Sequence, residues 1–187
     1  MHDNAGYRLE TYREYIEKIF LQEPELYAFR PVTLGHPRIA TFVYPDVPEK
    51  EYTTGITFGL SEYDNPAWID GRPELIISVH SSDTSWGRSA GFAAARFQMD
   101  SDFAYGSILD FEQPISSDSD MQAFFLFAPS ILNRSEYSNI SLDYYNINIV
   151  GMYPIYKEEI FTIRKIGLEK FVKHLAYNMY EIDRKRY

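Results

Sequence analysis

Residues 85–92 read "SWGRSAGF", and Gly87-Arg88-Ser89-Ala90-Gly91 fits the pattern G-x-S-x-G. That pattern presents a nucleophilic serine where a strand turns sharply into a helix, as in α/β-hydrolases. The alternative is that a helix simply begins here, with serine near its N-terminus. The two readings lead to different folds. A nucleophile elbow needs a strand that runs directly into the serine. Here the apolar run "ELIISVH" (74–80) ends at His80, and eight mostly polar residues precede Ser89. The required chain order is serine, then an acid, then histidine. The one histidine after Ser89 is His174, which lies within an amphipathic helical pattern. Ser89 therefore reads as a helix-opening residue, and a small serine hydrolase using Ser89 and His174 is the minor alternative.

Outward from this stretch, the apolar spacing at Leu9, Tyr12, Ile16, Ile19 and Phe20 predicts a helix over 7–21, stopped by Pro24. Strands are expected at 38–45, 52–61, 74–80, 105–111, 121–129 and 142–155. In the last of these, alternation puts Tyr145, Ile147, Ile149 and Gly151 on one side. Alanine-rich "SAGFAAARFQMDS" predicts a helix, "KEEIFTIRK" a short one, and 167–182 an amphipathic one. Gly55 and Gly59 fall inside a strand pattern, which marks a bulge or a close backbone approach. The order of elements predicts an α+β fold, a mixed β-sheet flanked by helices, formed by residues 1–187 as one domain.

Composition narrows the function classes. The 187 residues contain no cysteine, which removes disulfides, thiolate metal sites and cysteine nucleophiles. The four histidines, His2, His36, His80 and His174, lack zinc-binding spacing, and no phosphate- or dinucleotide-binding glycine motif occurs, so no cofactor or metal is expected. The N-terminus lacks a signal-peptide pattern and no apolar run reaches membrane-spanning length, which makes a cytoplasmic location the expectation. Twenty-seven acidic against 18 basic residues give a formal charge of −9. Such a charge disfavours nucleic acid, and either maintains solubility or draws a basic protein partner. Arg184, Lys185 and Arg186 are expected to complement a helix C-terminus.

Two tryptophans, Trp68 and Trp86, fall in stretches that read as loops. They are candidate partner anchors, or covers for the edge of the core. Acidic residues in the same loops complete the candidate partner-binding set of Asp64, Trp68, Asp70, Asp83, Trp86, Asp118 and Asp120. Glu158-Glu159 could supply acid–base chemistry, but adjacent residues on a helix or turn face different directions, and acids there more simply favour a helix N-terminus.

Taken in order, "YTTGITFGLSE", "RPELIISV", "GFAAARFQMD", "AYGSILDFEQP", "MQAFFLFAPS" and "YYNINIVGMYPIYKEEI" resemble the Suppressor of fused domain family over residues 38–178. The resemblance implies a protein-binding module and not an enzyme. Animal members sequester a transcription factor; bacterial single-domain members are similar to immunity proteins that neutralise polymorphic toxins by direct binding. At this length one such domain is expected, without the second lobe of the animal protein. The bacterial reading, with a basic toxin domain as partner, is therefore the expectation, and a regulator that sequesters another protein is the alternative. Gly59, Leu60, Ser61, Pro154 and Glu159 are the family-like positions, expected to set backbone geometry. Oligomeric state is left open by the sequence.

Overall fold

A computed structural model describes residues 4–175 and 179–187. His2 and residues 176–178, within the helix expected at 167–182, lie outside the described residues. Among the described residues eight strands form one sheet: seven follow the path β1-β2-β3-β4-β8-β6-β5, and β7 pairs with β8. They are β1 Glu25–Phe29, β2 Ile39–Pro45, β3 Tyr52–Phe58, β4 Arg72–His80, β5 Ile108–Asp110, β6 Ala123–Phe127, β7 Ile140–Leu142 and β8 Tyr145–Ile155. Neighbours are antiparallel except β4 and β8, which run parallel with Arg72 opposite Ile147. The fold is therefore α+β with a mixed sheet, as the order of elements predicts.

Among the described residues five helices flank the sheet: α1 Ala5–Phe20, α2 Ser85–Phe97, α3 Arg134–Tyr137, α4 Lys157–Ile166 and α5 Leu168–Leu175. Strand alternation sorts the core into layers. Leu75, Ile77, Val79, Phe124, Leu126, Val150 and Met152 pack with α2 on one face. Ile56, Ile76, Ile147 and Ile149 point the other way, onto Tyr12 and Ile16 of α1. Farther along that second face, Phe125, Tyr153 and Ile155 pack against Ile160, Ile163 and Phe171 of α4 and α5.

The small residues of α2 explain the stretch quoted first. Gly87 and Gly91 lie one turn apart and face β2 and β3. A Cβ on Gly87 would press on Val43 and Thr53, and one on Gly91 on Thr41 and Phe29. Gly55 meets the backbone of Gly87 from the sheet side. G-x-S-x-G is here a helix-on-sheet packing stripe, in which glycine allows an approach that any side chain would block.

The structure departs from the sequence expectations in several places. Strand β1 is one: "ELYAF" is too short and too exposed to carry a strong alternation signal. The 142–155 strand is a hairpin, β7 and β8, which turns at Asp143 with φ of 53°. "RSEY", to which no element is assigned above, forms α3, closed by a capping box between Asn133 and Glu136. The last helix ends its described part at Leu175, and Glu181 instead forms an isolated bridge with His80.

Candidate partner-binding surface

The best-defined polar cluster surrounds the β3–β4 connection. After Phe58 the chain turns through Gly59 at φ +117°, where a Cβ would press on the backbone carbonyl of Arg38, a position that excludes a side chain. The turn is held from below by Glu74, which is fully buried in β4. Its carboxylate accepts hydrogen bonds from Gly59 N (2.8 Å), Ser61 N (2.9 Å), Ser61 Oγ (2.7 Å) and Thr57 Oγ1 (2.5 Å). Burial pushes the Glu74 carboxyl above its ordinary value, and these four donors oppose that shift. The glycine–leucine–serine motif is thus a turn built on a buried carboxylate. Sequence reasoning missed Glu74, although one acid inside the apolar run "ELIISV" was its signal.

Above the turn, Arg8 of α1 grips Glu62 through two parallel bonds of 2.7 and 2.5 Å, and Tyr145 donates to the same carboxylate at 2.5 Å. Glu62 holds the Arg8 guanidinium well above its usual range. The Tyr145 hydroxyl is raised by burial first and by Glu62 second. Arg72 lies 4.6 Å from the centre of the Tyr145 ring and bonds the Ser61 carbonyl and Asp64, both at 3.0 Å.

Beside this cluster a groove of about 750 Å³ runs between residues 67–71, residues 102–105 and the end of α3. Trp68 is fixed in its wall: Nε1 donates to the Asp102 carbonyl at 2.8 Å, and the ring meets Tyr63 edge-on. Ile69 and Tyr105 are exposed at the rim, and Asp70 lies exposed beside them. Asp64, Trp68 and Asp70 are thereby brought to one end of the sheet.

Asp83, Trp86, Asp118 and Asp120 gather at the opposite end of β4, nine residues and so roughly 30 Å away. Trp86 lies in the first turn of α2 rather than in a loop, and it is 0% exposed. Its Nε1 donates to Asp118 at 3.0 Å, and Ser81 Oγ reaches the other oxygen of Asp118 at 3.0 Å. Ser116 Oγ donates to Asp83 at 2.5 Å, and Asp83 also accepts the Ser85 N–H at 2.9 Å. Burial would raise the Asp83 carboxyl, but these donors hold it below its ordinary value. Asp120 remains exposed, paired with Arg186 at 3.0 Å.

Arg184 overturns the expectation for the basic C-terminal residues. It is buried and bidentate to Glu159 at 2.5 and 2.8 Å, at the N-terminus of α4 and not at a helix C-terminus. Glu159 also caps the Tyr156 N–H at 2.9 Å, while Arg184 reaches the carbonyl of Pro154 at 3.2 Å. Pro154 is tolerated within β8 because β4 pairs only as far as Met152, so the missing N–H breaks no ladder on that side.

Ser89 sits in the second turn of α2, and its hydroxyl donates to the Trp86 carbonyl at 2.5 Å. α2 and α5 cover opposite faces of the sheet, so the sheet separates Ser89 from His174, whose ring packs on Tyr187. The two do not form a catalytic pair. Among the described residues, no cluster of three or more histidine and acidic side chains could hold a metal ion. Among the described residues, no helix is long and apolar enough to cross a membrane.

A family model described as Suppressor of fused protein (SUFU) matches residues 35–185. The fold is similar to that of a protein described as a SUFU homolog from Neisseria gonorrhoeae FA 1090, with a TM-score of 0.70 at 15% identity over 95% of this chain and 94% of that one. It is also similar to a chain of the Sufu–Fu complex, with a TM-score of 0.64 at 13% identity over 95% and 90%. Drosophila Suppressor of Fused gives a TM-score of 0.64 at 12% identity, and this chain spans 50% of its length. No curated protein sequence matches.

Proposed function

Because the chain belongs to the Suppressor of fused family, a family of protein-interaction modules, we propose that it is an immunity-type inhibitor that binds a basic toxin domain and blocks its activity. The observation that carries this reading is the likeness, over 94% of that chain, to a bacterial SUFU homolog. The charge of −9 adds to it, since an acidic surface speeds association with a basic protein. The contact surface we propose is the end of the sheet that carries Asp64, Trp68 and Asp70, where a rigid indole wall and exposed Ile69 and Tyr105 supply anchors beside acids. Asp118, Asp120 and Asp83 form a second acidic edge. Trp86 serves as its internal brace.

The test is capture of the product of the adjacent gene by tagged protein, at low and at high salt, with the activity of that product measured in the complex. Salt-sensitive capture with loss of a toxic activity supports the proposal. Capture of a protein without such activity would favour a sequestering regulator, and no capture by folded protein would sink the toxin reading.

A further inference from the structure

The two edges of the sheet are not equally guarded. Edge strand β5 has three residues, too short to template another chain. Edge strand β1 has five, and its burial pattern is exposed or half-buried throughout. Pro24 and Pro31 bound it, but it contains no proline, lysine or bulge, the devices that normally blunt an edge. Among the described residues, β2 alone pairs with it.

The surroundings of that free edge are polarised along the strand. Glu23 and Glu25 stand at its start. Arg30 stands at its finish, beside Arg38, because Phe29 pairs with Ile39. Among the described residues, none of these four forms an ion pair, and all are exposed. Exposed aliphatic side chains mark both ends and the middle: Leu21 (86%), Leu26 (63%), Val32 (73%) and Leu34 (96%).

A surface that is acidic at one end, basic at the other and apolar along its length complements itself when reversed. We propose that β1 pairs antiparallel with β1 of a second copy of this chain, which joins two sheets into one across a two-fold axis. Pairing centred on Tyr27 sets Tyr27 opposite Tyr27, Leu26 opposite Ala28, and Pro24 opposite Arg30 of the second copy. It sets Glu25 opposite Phe29 and Glu23 opposite Pro31, so the acidic end of each copy lies alongside the basic end of the other, and it turns Leu21 toward Val32 and Leu34. Tyr27 opposite Tyr27 is the cross-strand aromatic pair that such a ladder gains, and the neighbouring opposite poles favour this orientation over the reverse. This surface is separate from the groove beside Trp68, so its test does not depend on the toxin reading.

The test is the solution mass of the full chain over a concentration series, by sedimentation or light scattering. The wild type should approach twice the 21.9 kDa of one chain. Glu25→Arg and Arg30→Glu, both at exposed positions, should each weaken the dimer by about tenfold, because both symmetry-related strand ends then lie beside ends of like charge. Far-UV circular dichroism serves as the check that each stays folded. An equimolar mixture of the two variants should recover the dimer, since each altered pole then meets its opposite. A wild type that stays monomeric throughout, a dimer that both reversals leave unchanged, or a mixture no tighter than either variant alone would overturn the proposal.

Discussion

The backbone of Gly55 in β3 lies directly on the backbone of Gly87 in α2, so closely that a methyl group on Gly55 would overlap the Gly87 Cα and carbonyl carbon at 2.5 Å. Both obstacles are backbone, and neither can rotate away. Gly55→Ala should therefore cost roughly 1–3 kcal/mol through forced separation of helix and sheet. Gly6→Ala in α1 meets nothing within 4 Å and should be neutral or stabilising by up to about 1 kcal/mol. Urea denaturation of the two variants checks the contrast; equal effects would refute the packing role of the stripe.

Ser89 donates its hydroxyl within α2, and the sheet separates it from His174. Ser89→Ala should therefore leave the fold and the capture of a protein partner intact, at a cost of about 1 kcal/mol for the lost hydrogen bond. Ester hydrolysis by the wild type that vanishes in this variant, with the fold preserved, would restore the hydrolase alternative.

The buried pair of Arg184 and Glu159 predicts an asymmetry. Arg184→Met strands a carboxylate in the interior and should cost about 3–5 kcal/mol. Adding Glu159→Gln to it removes the stranded charge, so the double variant should be more stable than Arg184→Met alone. A double-mutant cycle by thermal or urea unfolding measures this coupling. Strict additivity would contradict it.

Acid stability bears on Asp83. Its carboxyl sits below its ordinary value of 3.8 in the folded chain, so it adds stability that is present above that pH and is lost as pH falls through the lower folded value. Asp83→Asn should weaken the protein at neutral pH and flatten the loss of stability below about pH 4. Stability followed by fluorescence from neutral to acid pH compares the two slopes. Identical acid limbs would exclude the linkage.

The sheet was legible where the chemistry is local. Ile147 and Ile149 alternate with polar neighbours, and the alanines of α2 favour helix, so their elements follow from residue type and period. Gly55 marked a close approach, but only the fold shows that Gly87 is what approaches it. Trp86 misled because a tryptophan among serines and aspartates reads as a loop anchor, while its burial depends on Asp118, 32 residues later. Arg184 misled for the same reason: its partner Glu159 is 25 residues earlier, and no spacing rule links them. Strand β1 escaped because an exposed edge leaves little apolar alternation to detect. Buried polar contacts between distant segments are what one-dimensional patterns carry least.

The parallel pairing of β4 with β8 also constrains how the chain acquires its shape. β2, β3 and β4 follow one another in the chain and pair with their sequence neighbours, so their hairpins can form soon after residue 80 exists. Arg72, however, waits for Ile147, 75 residues later. Closing so long a loop before any contact rewards it is slow, and ln kf falls as such separations grow. During synthesis the first half should therefore stand for a time with the flank of β4 uncovered. Arrival of β8, which β4 and β6 then grip from either side, would be the step that commits the chain to its final arrangement.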